Sequence, residues 1–77
     1  MKQNREIIEA RIVNFLKRLH GPDYKVINAR TRWIGNRGEE SNYDVRYFIT
    51  STRFSGGVRH ERVGVLDNTV RILYDDI

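Results

Sequence analysis

The chain has no cysteine, so neither a disulfide framework nor a thiolate metal site can brace it, and its redox compartment stays open. His20 and His60 have no neighbouring Cys or His, and neither Asp67-Asn68 nor Asp75-Asp76 shows the alternating ligand spacing of a calcium loop. No metal or cofactor is therefore expected. The single proline and six glycines punctuate turns rather than forming a low-complexity tract. No apolar run approaches the roughly 18 residues of a membrane span. The polar start Met1-Lys2-Gln3-Asn4-Arg5 leads into an amphipathic stretch rather than a signal-peptide core. A cytoplasmic location without membrane contact is the expectation. Lysine is scarce too, with three residues against eleven arginines.

What is present suits one small domain. The 77 residues are 39% apolar, and domains of this size bury only about 60% of the surface of the unfolded chain. Stability must then come from helix-on-sheet packing or oligomerisation. The formal charge of +4 and a pI of about 9.9 favour polyanions or acidic protein surfaces. Arginine enrichment sharpens that reading, because guanidinium presents a planar fork to phosphate or carboxylate and stacks on rings.

Ile8, Ile12, Phe15, Leu16 and Leu19 recur at helical spacing and predict an amphipathic helix over about residues 4–20. Asn4 is the expected N-cap, Glu6 and Glu9 suit the positive end of the dipole, and Lys17, Arg18 and His20 suit the negative end. Gly21-Pro22 ends the helix. The period then changes to two, and four strands are predicted at about 24–34, 43–53, 58–66 and 69–74. Gly35 to Asn42 is expected to be a solvated loop.

A two-residue turn at Asp67-Asn68 pairs Val65 with Val70 and Val63 with Ile72, which puts these apolar side chains on one face. A three-residue loop at Ser55-Gly56-Gly57 would set Val63 opposite Ile49, with a glycine at positive φ forming a bulge. The expected architecture is α+β: one N-terminal helix packed on one face of a four-stranded antiparallel meander of order 1-2-3-4. Ile27, Ala29, Thr31 and Trp33 are assigned to the covered face, with Tyr43, Val45, Tyr47 and Ile49. Val26, Asn28, Arg30 and Arg32 are assigned to the other.

That uncovered face collects Arg30, Arg32, Arg46, Arg62 and Arg71, with Phe48 at its centre and His60, Leu66 and Leu73 beside them. Basic groups around an aromatic ring are what single-stranded nucleic acid or RNA asks of a sheet, since guanidinium meets phosphate while a base stacks. The expected site is Arg30, Arg32, Arg46, Phe48, His60, Arg62, Arg71 and Leu73. The bland reading is that long arginine stems merely cover a solvated face. The alternative function is a small protein-interaction module, an adaptor or inhibitor of the kind phages and mobile elements encode. It would use Phe48, Leu66 and Leu73 as an apolar centre for an acidic protein surface or a homodimer. A ribonuclease-like grouping of His60, Arg62 and Arg46 with Glu61 fails on parity, because Glu61 belongs to the opposite face. No catalytic residue is therefore assigned, and the expectation is a binding protein rather than an enzyme.

Overall fold

The computed structural model describes residues 5–73, with nothing to be said of the side chains of Phe54 and Ser55. Asn4, the expected cap, lies outside the described residues, as do Tyr74 and the tail at 75–77. The helix α1 runs Arg5–His20 and is followed by β1 (Tyr24–Arg37), β2 (Glu40–Ser51), β3 (Phe54–Leu66) and β4 (Thr69–Ile72). The strands form one antiparallel sheet in the order β1-β2-β3-β4. The overall extents of 41 × 33 × 17 Å suit one helical layer on one sheet, leaving the second sheet face open. Among the described residues no helix is long and apolar enough to cross a membrane.

Ile8, Ile12 and Leu16 recur every fourth residue and are the buried helix positions. They meet Val26, Val45, Tyr47, Ile49, Val63 and Val65 of the sheet, while Phe15 and Val13 pack at the margin. Leu19, expected in the same stripe, is 51% exposed, because the sheet-facing positions recur every fourth residue and the one after Leu16 is His20, which bonds to Tyr47. Gly21 takes φ +96° and donates its N–H to the Lys17 carbonyl at 2.9 Å, closing the helix as its sequence predicts.

Three departures from the sequence reading have physical causes. First, β1 carries a bulge. Ile27 pairs with Phe48 and Arg30 with Arg46, so Asn28 and Ala29 together oppose one residue of β2. Asn28 takes φ +53°, a left-handed conformation that asparagine tolerates better than most residues. The inserted residue inverts parity upstream of it. Val26 is buried against the helix and Ile27 points away, 41% exposed, each opposite to expectation.

Second, the expected loop at 35–42 is mostly strand. Arg37 pairs with Glu40 around a tight turn at Gly38-Glu39, after a second irregularity between Trp33 and Gly35. Gly38 takes φ +63°, which lets so short a turn form. The long strand outruns the helix: the helix's 16 residues span about 24 Å at 1.5 Å each, whereas the strand's 14 residues span about 46 Å. Trp33 lies beyond helical cover and is 59% exposed rather than in the core, its indole N–H donating to Asn36 Oδ1 at 2.8 Å.

Third, the β2–β3 turn falls at Thr52-Arg53, with Ser51 paired to Phe54, and Val63 lies opposite Tyr43 rather than Ile49. The register is displaced by six residues along β2, an even number, so both faces keep their assigned side chains. The observed register sets Asp44 opposite Arg62, an attractive cross-strand pair the other register lacks. The expected glycine bulge does occur, with Gly56 at φ +120° beside the irregularity between Ile49 and Ser51. The β3–β4 hairpin has the expected register, with Asp67 at φ +54° in its turn.

Candidate nucleic-acid interface

Cross-strand partners project to one side of a sheet, so the pairing defines the open face as a series of rows. Ile27, Phe48 and Val58 form an apolar row across β1, β2 and β3, and Arg30, Arg46 and His60 form the next. Arg32, Asp44 and Arg62 make a third row, and Asn42, Gly64 and Arg71 a fourth. All five arginines assigned from the sequence thus share this face. Leu73 follows β4 and donates its backbone N–H to the Arg62 carbonyl at 2.8 Å, which continues the ladder by one step and leaves its side chain half-buried.

Two carboxylates divide these cations into different roles. Asp44 sits among three of them: Arg62 Nε at 3.3 Å, Arg32 Nη2 at 3.4 Å and His60 Nε2 at 3.6 Å. Burial pushes the Asp44 carboxyl upward, but the hydrogen bonds and charges of Arg62, His60 and Arg32 outweigh it and hold the group below its ordinary value. Glu40 crosses β3 to reach β4, accepting from Arg71 Nε at 2.7 Å and Nη2 at 3.0 Å. Gly64 leaves room for this crossing. A Cβ there would lie 2.5 Å from the Glu40 carboxylate, which would have to shift aside from its present path over the strand. The Arg71 hydrogen bond, with the charges of Arg71 and Arg37, keeps the Glu40 carboxyl below its usual range.

Arg30 and Arg46 are different. They are direct cross-strand partners, and among the described residues neither has a carboxylate within ion-pairing distance. As direct partners their Cβ atoms stand roughly 5 Å apart on one face, so both long side chains can reach the same anion. They border a shallow groove of about 300 Å3 with Arg32, Asp44 and His60.

Phe48 is half-buried rather than fully presented. Its ring lies over Gly56, where a Cβ would come within 2.5 Å of two ring carbons. The missing apolar surface is supplied by its neighbours Ile27 and Val58, the latter 68% exposed. Sequence reasoning missed Ile27 because the bulge that turns it outward has no glycine to announce it. Only the Asn28-Ala29 pair marks the spot. Glu61 pairs with Val45 on the helix side, so it does not join His60.

Comparisons with protein-family models, with curated proteins and with solved structures gave no match to this chain.

Proposed function

We propose that the protein binds single-stranded nucleic acid on the open sheet face, without catalysing a reaction. The observation that carries this reading is the Arg30–Arg46 pair, without a carboxylate partner among the described residues, beside the apolar row of Ile27, Phe48 and Val58. An incoming phosphate gains charge-assisted hydrogen bonds from both guanidinium groups. The bases of the same strand then lie on the apolar row, so the nucleic acid crosses β1, β2 and β3 roughly at right angles to them. Arg32 and Arg62, partly neutralised by Asp44, flank the path and contribute less.

Fluorescence anisotropy with a labelled single-stranded oligonucleotide tests this directly. Two to four phosphate contacts predict a log–log salt slope of about −1.5 to −3. The R30A and R46A variants should each weaken binding about tenfold at low salt and flatten the slope by roughly 0.7. Affinity unchanged in the double variant, with unchanged secondary structure, would overturn the assignment.

A second reading rests on the same apolar row. The exposed side chains of Ile27 and Val58, ringed by arginine, also fit a protein interface that recognises an acidic surface. In that case a Val58→Ser variant loses the partner and salt weakens binding less steeply than it does for nucleic acid.

A further inference from the structure

On the helix side of the sheet, where α1 ends beside the β2–β3 turn, a groove of about 470 Å3 remains open. Ligand clefts span about 300–1,000 Å3. Its lining includes Tyr24 and Ile49 as apolar wall and His20, Ser51, Arg53 and Arg59 as polar wall. Arg59 pairs with the buried Tyr47, and Ser51 with Tyr24. The groove therefore opens on the opposite side from Arg30 and Arg46.

Its groups are held in place. The Tyr47 hydroxyl donates to Glu61 Oε2 at 3.2 Å, so its oxygen must accept from His20 Nε2, 2.7 Å away. That fixes the imidazole tautomer and leaves Nδ1 as the ring's second polar atom. The Arg53 backbone N–H donates to Ser51 Oγ at 3.2 Å, and the serine hydroxyl proton remains available to another acceptor. Glu61 is the acid beside Arg59, at 3.7 Å, and Tyr47 already occupies one of its oxygens. Arg53 has no carboxylate partner among the described residues. The site is thus richer in donors than in acceptors. Burial, and then the charge of Arg59, hold His20 below its ordinary pKa, with Glu61 opposing them. Tyr24 stands 6.1 Å from the His20 ring at a 58° tilt and presents part of its own ring to solvent.

We propose that this groove binds a phosphate monoester bearing a planar ring, the chemistry of a mononucleotide. Arg53 and Arg59 form the guanidinium clamp on the phosphate, Ser51 donates to it, and Tyr24 packs against the base. The proposal stands apart from the open face, since the two surfaces share no residue.

The test is a heteronuclear NMR titration with adenosine monophosphate, inorganic phosphate and adenosine. Adenosine monophosphate should give saturable shifts at His20, Tyr24, Ser51 and Arg53, with a dissociation constant on the order of 0.1–1 mM. Inorganic phosphate should move the same polar residues more weakly, and adenosine should move none of them. The groups facing His20 are Tyr24, Tyr47, Arg59 and Glu61. A bound phosphate offsets Arg59 and so raises the His20 pKa. R53A, on the exposed turn, should weaken binding about tenfold, while R30A and R46A leave it unchanged. Displacement of the mononucleotide by a 5′-phosphorylated trinucleotide, and not by its unphosphorylated counterpart, would assign the phosphate to a strand end. Absence of displacement would assign it to the free mononucleotide. The proposal is overturned if adenosine binds equally, if shifts do not saturate by about 10 mM, if R53A has no effect, or if the shifts map to Arg30 and Arg46.

Discussion

Tyr47 is the residue on which the two layers are fastened. Its ring is in the core, and its hydroxyl joins His20 at the end of α1 to Glu61 in β3. Burial, reinforced by the charge of Glu61, pushes its pKa up to about 12. A phenol that ionises at about 10 when unfolded and near 12 when folded gives up protons first in the unfolded chain. Its stabilising contribution is complete below about pH 10 and disappears as the pH rises through 12. Denaturant melts across that window should show wild type losing stability faster than Tyr47→Phe. At neutral pH the Phe variant should be about 1 kcal/mol less stable, because His20 and Glu61 lose their partner. Equal alkaline slopes for the two proteins would place the loss elsewhere. Tyr47's place in the core follows from alternation along its strand. Its bonding to both layers does not, since it requires knowing that the end of the helix meets Glu61.

At the scale of elements, strands and helix were legible because their periods are strong, and the register was legible only where a turn was short. The Asp67-Asn68 hairpin has two central residues and flanking valines, so a single pairing satisfies it. The β2–β3 connection offered Ser55-Gly56-Gly57 as the evident turn, but the chain uses those glycines for a bulge and turns at Thr52-Arg53. Cross-strand attraction between Asp44 and Arg62 is a long-range term that turn chemistry cannot reveal. The β1 bulge is the other element-scale surprise, and it costs something. Asn28 sits at φ +53°, where a side chain costs roughly 1 kcal/mol relative to glycine. Asn28→Gly should leave stability unchanged or raise the melting temperature by a few degrees, whereas Asn28→Val should lower it by about 5–10 °C. A valine variant as stable as wild type would mean the bulge is not required. The bulge also interrupts the outer edge of β1, a common device against edge-to-edge pairing.

The whole molecule carries a formal charge of +4, distributed unevenly over its two sides. The open face holds Lys25 and six arginines, Arg37 being the cross-strand partner of Glu40, against Asp44 and Glu40. Removing one acid should therefore strengthen a polyanion complex. Asp44→Asn releases Arg32 from its carboxylate partner. It should tighten binding of a single-stranded oligonucleotide about threefold at low salt and steepen the salt slope by roughly 0.7. Weaker binding in this variant would remove the open face as the contact surface. The five arginines assigned to this face from the sequence were readable from alternation, because all five lie between the points at Asn28-Ala29, Ile34 and the start of β3 where a single extra residue enters the ladder. Which cations are neutralised was not readable, since Asp44 and Glu40 act across strands. That arithmetic has an evolutionary corollary. Residues can be gained or lost in pairs around the Thr52-Arg53 hairpin, lengthening or shortening the ribbon, and the chemistry displayed outward persists. A single insertion exchanges guanidinium for hydrocarbon unless a bulge such as the one at Asn28-Ala29 absorbs it, so length variation among descendants of this chain should come in twos or be accompanied by a new bulge.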